Sequence, residues 1–347
     1  MKYSVIIPAY NCENTIKTTV ESVFKSGLSD FEIIIINDGS TDNTKAVCDK
    51  LSDSHPEIIC IHKENGGVSS ARNRGIDEAT SEYLLFMDSD DTYAPNGFQN
   101  ACKEIESSAC DLLVFGLSFD YYKGNTVYRS DVLAYPEEGL FSPDKWGKNF
   151  STLFQCNSLS SACNKIFKSK IIKENNLYFN PDVFLMEDFL FVLAYLRHTQ
   201  NILLIKDAIY HYRQPDDEKR VYTRMDRISD INAYLIPFYT EGDKLVSAFK
   251  DFYNTTFPQA EDVLFSLYKM LISQKAYYAD IEVLKKLSQT VKNGRFASFE
   301  TDDILINDLK NENYKAIINR HKKIQLRHKV AVAVKKTALY QKLRGNQ

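Results

Sequence analysis

The chain has no Gly-x-Gly-x-x-Gly after its first apolar run and no Gly-x-x-x-x-Gly-Lys-Ser/Thr anywhere in its 347 residues. A dinucleotide oxidoreductase and a P-loop enzyme both lack their phosphate cradle. No run approaches the ~20 apolar residues of a membrane span. The opening stretch, Met1 to Pro8, is too short and too β-like for a signal peptide. The seven cysteines are an odd number and none forms a Cys-x-x-Cys pair. Neither a zinc site nor a disulfide framework is indicated, and a reducing cytoplasm fits. Tryptophan occurs once, as Trp146. With 44% hydrophobic and 26% charged residues, the composition is that of a globular protein with one large domain and a smaller one.

The net charge of -3 conceals an asymmetry. Residues 313–347 carry ten Lys and Arg and no Asp or Glu. Without those ten, 33 basic residues face 46 acidic ones, a net of -13 for the rest of the chain. An acidic body thus precedes a strongly basic tail.

Strands and helices alternate from the start. Tyr3 to Ile7 reads as a strand ending at Pro8-Ala9-Tyr10-Asn11. Ile16, Val20, Val23 and Phe24 recur at helical spacing as far as Gly27. Phe31 to Ile36 is a fully apolar strand ending at Asn37-Asp38-Gly39-Ser40. A helix over 41–51, a strand over 58–61 and a helix over 68–79 follow. This alternation predicts a parallel sheet with helices on both faces. Ligands of such sheets bind outside the carboxyl ends of the strands. Pro8 to Asn11, Asp38 and Asp88 to Asp91 all stand at such ends and are expected to share one crevice.

The apolar run Tyr83 to Met87 breaks into Asp88-Ser89-Asp90-Asp91. On an extended backbone Asp88 and Asp90 point to one side. Two convergent carboxylates suit a hard divalent cation that also binds phosphate oxygens. An Asp-rich turn that merely ends a strand is the other reading. Asp38 is placed to accept a base N–H, and Arg72 to bridge a base or a diphosphate. Further on, Glu187 and Asp188 sit between apolar flanks. Burial and mutual repulsion suit one of them to act as a general base. A helix N-terminus stabilised by two acidic residues is the alternative.

Four motifs, Val5-Ile6-Ile7-Pro8-Ala9-Tyr10-Asn11, Ile36-Asn37-Asp38-Gly39-Ser40-Thr41-Asp42, Asn65 through Gly75, and Met87-Asp88-Ser89-Asp90-Asp91, resemble family 2 glycosyltransferases in order and spacing. The likeness is close over residues 3–120. It implies a GT-A fold: a Rossmann-like, mostly parallel sheet with flanking helices, here followed by a C-terminal helical module. It also implies a UDP-sugar donor, Mg2+ or Mn2+, and inversion at the anomeric carbon. On the same grounds Pro8, Ala9, Tyr10, Asn11, Asp38, Asn65, Gly67, Arg72, Asp88 and Ser89 are expected to bind the donor. Asp90 and Asp88 are expected to hold the metal, with His211 as third ligand. Asp188 is assigned as base and Glu187 as its neighbour. Lys219, Arg220 and Arg224 are expected to close on the leaving diphosphate. The run Asp216-Asp217-Glu218 departs from the family pattern.

The expected division is a catalytic domain over 1–225, with a nucleotide-sugar half to about 120 and an acceptor half beyond it. A helical module over 226–347 ends in the basic tail 313–347. Residues 120–138 read as a hairpin or loop, and Trp146 as a core anchor. Ile317, Ile324, Ala331 and Ala338 recur every seven residues among Lys and Arg. A basic amphipathic helix suits an anionic membrane surface. The acceptor is expected to be a glycan or lipid-linked saccharide in surface-polysaccharide assembly, at the cytoplasmic face of the membrane. No nucleic-acid partner is expected. Two other readings are a non-catalytic scaffold in a glycan-synthase complex and a sugar nucleotidyltransferase. The second needs a basic Gly-rich loop after the first strand, where this chain has Pro8 to Cys12.

Overall fold

The structure, a computed structural model, describes residues 1–215 except 125, 184 and 185. Beyond them it describes 237–238, 240–242, 244–249, 259–260, 262–264, 266–267, 281–292, 304–320 and 322–323. Two compact units emerge. One comprises Met1–Arg227 with Pro237–Leu264, the other Ile228–Ile236 with Phe265–Gln347.

The first unit is built on ten strands: β1 (Tyr3–Ala9), β2 (Phe31–Asp38), β3 (Ile58–Lys63), β4 (Tyr83–Phe86), β5 (Thr92–Tyr93), β6 (Leu112–Lys123), β7 (Thr126–Leu133), β8 (Gly139–Phe141), β9 (Lys165–Lys168) and β10 (Ile202–Pro215). Their order is β3-β2-β1-β4-β9-β6-β10-β5, with β7 on β6 and β8 on β10. β1, β2, β3 and β4 pair in parallel, as do β6 and β10. β9 lies antiparallel to both β4 and β6, so those two groups run in one direction. The main sheet is thus mostly parallel, interrupted by β9 and flanked by β5, β7 and β8, each antiparallel to its partner. β9, Lys-Ile-Phe-Lys, is too short to announce itself in the sequence. The hairpin expected over 120–138 is β6 and β7.

β1 and β2 are continuous runs of Val and Ile because both of their faces are covered; Val5, Ile6, Ile7 and Ile33 to Ile36 are fully buried. Among the described residues up to 215, eight helices belong to this unit: α1 (Ile16–Lys25), α2 (Thr44–Ser54), α3 (Gly67–Glu78), α4 (Phe98–Ser107), α5 (Pro143–Lys148), α6 (Phe150–Gln155), α7 (Ser169–Glu174) and α8 (Glu187–Leu196). Gly75 lets α3 touch the sheet: a Cβ there would sit 2.3 Å from Ile6 Cγ2. Trp146 is fully buried against Phe150 and Phe249, a core anchor.

In the second unit α9 (Ile281–Lys292) packs on α10 (Ile304–Lys310). Leu284, Leu287, Leu305, Ile306 and Leu309 are buried, and the Ser288 hydroxyl donates to the Leu309 carbonyl at 2.7 Å. The start of the basic tail belongs to this packing. Ile317 is buried and Arg320 pairs with Asp308. The rest of the tail, 324–347, lies outside the described residues. No helix among the described residues is long and apolar enough to cross a membrane.

Candidate active site

The sheet's order turns back between β1 and β4, so their carboxyl ends flank the position where such sheets hold ligands. At the end of β1, Asn11 takes a left-handed backbone (φ 49°). Its side-chain oxygen accepts from the Thr41 amide at 2.8 Å, and its own amide donates to Ser40 Oγ at 3.0 Å. The loops after β1 and β2 are thereby tied together, and Tyr10 is left half exposed beside them. Pro8 and Ala9 remain within β1.

Asp38, at the end of β2, is nearly buried. Its Oδ1 accepts from Lys63 Nζ (2.6 Å) and the Gly66 amide (2.9 Å), and its Oδ2 from the Gly67 amide (2.8 Å). The carboxylate therefore satisfies orphan donors at the N-terminus of α3, where a negative charge is favoured. Asn65 closes the same loop by donating to the Asp38 carbonyl at 2.9 Å. Gly67 takes φ +85° in this turn, a conformation costly for any residue with a Cβ. The expected contact of Asp38 with a base has to share a carboxylate already engaged by the chain.

At the end of β4 the four polar residues separate in role. Asp88, Ser89 and Asp90 are partly exposed, while Asp91 is buried. Tyr210 on β10 anchors the turn. Its hydroxyl donates to Asp91 Oδ2 (2.5 Å) and accepts from the Asp88 amide (3.1 Å). Asp91 Oδ1 accepts from the Arg213 amide at 2.8 Å. Burial, then the charges of Asp88 and Asp90, pushes the Asp91 carboxyl well above its ordinary range. The Thr19 hydroxyl on α1 reaches the carbonyls of Ser89 and Asp91 at 3.0 and 2.8 Å. Nothing in the alternation Ile209-Tyr210-His211-Tyr212 marked Tyr210 for this task.

Arg72, on α3, is the centre of the site. It is buried, with its guanidinium 5.2 Å from the Phe179 ring centroid. One terminal nitrogen donates to Asp88 Oδ1 at 2.9 Å. The other donates to Asp188 Oδ1 at 2.6 Å and lies 3.6 Å from Glu187 Oε1. Burial opposes the charge, yet Asp188 and Asp88, with Cys163 and Glu187, hold the guanidinium well above its ordinary range. Breaking such a buried ionic cluster on one side is costly. The sequence placed Asp88 and Asp188 in different halves of the domain; one guanidinium joins them. Arg72 was expected to reach the ligand, but here its terminal donors serve the chain's own carboxylates.

Glu187 and Asp188 form the first turn of α8, preceded by Met186 at φ 66°. The helix N-terminus is thus present, and it is compatible with a catalytic role for either carboxylate. Asp188 Oδ2 accepts the Ala162 amide at 2.9 Å. That amide is presented by a turn in which buried Lys165 donates to the Ser161 carbonyl and, at 2.8 Å, to Asn164 Oδ1. Burial lowers the Lys165 amine to about 7, against the charges of Asp188 and Cys163.

His211 Nδ1 pairs with Asp120 Oδ2 at 2.7 Å, and Asp120 also accepts the Ser118 and Ser130 hydroxyls at 2.6 Å each. Burial opposes the Asp120 charge, but these bonds from Ser118, Ser130 and His211 bring its carboxyl below the ordinary range. An imidazole held through one nitrogen by a carboxylate keeps the other for a metal. With Asp88 and Asp90 this donor set fits a divalent cation that accepts carboxylate and imidazole. The three are not gathered to ligand spacing here. Among the described residues the group of three whose ligand atoms lie within 4.8 Å is Asp49, Cys60 and His62. The reason is visible: Asp88 is drawn to Arg72 and His211 to Asp120. Lys219, Arg220 and Arg224 lie outside the described residues.

Sheet order, helices and the loop of carboxylates at the switch point define a GT-A-type fold. Residues 4–174 match the model of glycosyl transferase family 2 and belong to that family. The glycosyltransferase EpsJ of Bacillus subtilis is 28% identical over 212 residues, covering 61% of this chain and 60% of EpsJ. The minor teichoic acid biosynthesis protein GgaB of the same organism is 26% identical over 218 residues, 62% of this chain but 23% of GgaB. The chain thus spans less than two thirds of the length of either relative. Among solved structures, Staphylococcus aureus TarS 1-349 in complex with UDP-GlcNAc superposes with a TM-score of 0.66. That match has 19% identity and covers 93% of this chain and 92% of TarS 1-349, a likeness of fold.

Proposed function

We propose that the chain is an inverting glycosyltransferase that moves a sugar from a UDP-sugar to a hydroxyl of a glycan or lipid-linked acceptor. The observation that carries this reading is the ionic link Asp88–Arg72–Asp188. It sets a candidate diphosphate site and a candidate base on either side of one buried cation. The complex of TarS with UDP-GlcNAc supports a UDP-sugar as donor. GgaB and TarS, the latter a poly(ribitol-phosphate) β-N-acetylglucosaminyltransferase, support a setting in surface-polymer synthesis.

In this reading half-exposed Tyr10 offers a face to the uracil ring. The Asp38–Gly67 turn holds the nucleoside end. Asp88, Asp90 and His211 would hold Mg2+ or Mn2+, which when bound neutralises charge on the departing diphosphate. Asp188 takes the proton from the acceptor hydroxyl while that oxygen attacks the anomeric carbon from the face opposite the diphosphate. Arg72 orients the Asp188 carboxylate through its 2.6 Å hydrogen bond. An acceptor hydroxyl is a far weaker acid than a carboxylic acid, so the proton moves as the new C–O bond forms rather than before it. Alignment of the attack supplies much of the rate.

Asp188→Asn keeps the shape and removes the proton acceptor. Calorimetry is expected to show UDP binding near that of the unaltered protein, while sugar transfer falls at least 100-fold, the order of general-base loss. Near-normal turnover would place the base elsewhere. Slow, metal-dependent hydrolysis of a UDP-sugar by the unaltered protein separates this reading from a non-catalytic scaffold.

A further inference from the structure

Away from the site just described, α2 and the edge strand β3 bring three donors of different kinds together. Cys60 and His62 stand two apart on β3 and share one face of the strand. Asp49 reaches them from α2. His62 Nε2 lies 2.7 Å from Asp49 Oδ1 and 3.8 Å from Cys60 Sγ. The three donor atoms all lie within 4.8 Å of one another. The side chains of His62 and Asp49 are 30% and 49% exposed and Cys60 is half-buried, so an ion can enter from solvent. No Cys-x-x-Cys pair announces the cluster, because one thiol, one imidazole and one carboxylate come from two elements.

The spacing and the donor types select the ion. A tetrahedral Zn2+ at its usual bond lengths sets sulfur and nitrogen donors about 3.6 Å apart, and nitrogen and oxygen donors about 3.3 Å apart. The sulfur and imidazole are already near that separation. The carboxylate has to draw back by roughly 0.6 Å, within the freedom of an exposed side chain. Thiolate with imidazole favours Zn2+ over Mg2+ or Ca2+. Asp88, Asp90 and His211 include no thiol and suit a harder ion, so the two donor sets sort different metals.

His62 also has the neighbour that a ligating imidazole needs. Its Nδ1 faces the Asn37 amide at 2.9 Å. Here the Asn37 nitrogen donates, because its oxygen accepts the Ser40 amide at 3.2 Å, and the ring proton sits on Nε2 toward Asp49. An ion at Nε2 moves that proton to Nδ1 and turns the Asn37 oxygen round to accept it. What is given up is one long bond at partly exposed Ser40. The Cys60 thiol proton leaves to solvent, as thiolate ligation requires.

We propose that Asp49, Cys60 and His62 form a zinc site, separate from the catalytic centre, that clips β3 to α2 when filled. Three protein donors leave the fourth position to water, the pattern of an open site that fills reversibly.

The full chain, stripped by a chelator and titrated with Co2+ in excess Mg2+, tests this. One equivalent of Co2+ is expected to give thiolate-to-cobalt charge-transfer absorption that Zn2+ then abolishes by displacement. One equivalent of Zn2+ is expected to slow alkylation of Cys60, mapped by mass spectrometry, by at least about tenfold. His62→Ala and Asp49→Ala each weaken Co2+ binding by at least about tenfold, since ligands matter no less than the residues behind them. Cys60→Ser removes the absorption. The proposal is overturned if Zn2+ leaves the alkylation rate of Cys60 unchanged. It is overturned equally if the absorption survives Cys60→Ser, or if His62→Ala and Asp49→Ala bind Co2+ as tightly as the unaltered protein. The rate at Cys60 in the unaltered protein decides the matter even where a variant fails to fold.

Discussion

Lys165 gives the site's surroundings a measurable pH signature. The residue stands in β9, fully buried, and its amine is lowered from 10.5 to about 7. Because the folded-state value lies below the unfolded one, the group contributes fully only above about 10.5. Its contribution is lost as pH falls, until both states carry the proton below about 7. Between those limits stability rises with pH by ~1.4 kcal/mol per unit from this group alone. Lys165→Met removes the titration. It also leaves the Ser161 carbonyl and Asn164 Oδ1 without their donor, an offset of about 1–3 kcal/mol per group that does not depend on pH. Urea unfolding at pH 7 and pH 9, followed by Trp146 fluorescence, isolates the effect, since the single tryptophan is buried in the first unit. The stability of the unaltered protein relative to the variant is expected to grow by about 2 kcal/mol between the two pH values at constant urea dependence. Parallel curves for the two proteins would refute the reasoning and mean that the amine titrates near its ordinary range.

Gly75→Ala would place a methyl 2.3 Å from Ile6 Cγ2; a loss of about 1–3 kcal/mol in urea unfolding is expected, and an unchanged midpoint would mean that α3 can shift. Tyr210→Phe removes the hydroxyl shared by Asp91 and the Asp88 amide. About 1–3 kcal/mol of stability should go, and the enhancement of UDP binding by Mn2+ should weaken as the carboxylate turn loosens; calorimetry with and without the metal reads it. The basic tail is expected to carry the protein to anionic liposomes at low salt and to release it at high salt. Because Ile317 is buried and Arg320 is paired, the informative truncation ends at Lys323, and equal flotation of that shorter chain would exclude residues 324–347 as the anchor.

How much of this could be read in advance depended on how local each signal was. The parallel half of the sheet was legible because β1, β2 and β4 are buried on both faces, and such strands need unbroken apolar runs that end in polar turns. Asp38 and the Asp88 to Asp91 turn were legible for the same reason. β9 was not, since four residues with a lysine at each end carry no periodicity, and only its neighbours β4 and β6 make a strand of it. The relations that decide the chemistry are longer in sequence still. Arg72 meets Asp88 sixteen residues on and Asp188 at a separation of 116. Tyr210 holds a turn 119 and 122 residues away, and Asp120 orients a histidine 91 residues later. Each such pairing is made by the folded sheet, so sequence supplied the chemical groups while the topology chose their partners. A lone carboxylate in a sequence is therefore a candidate without a role, and the group it faces across the fold determines whether it binds a cation, moves a proton or anchors a turn.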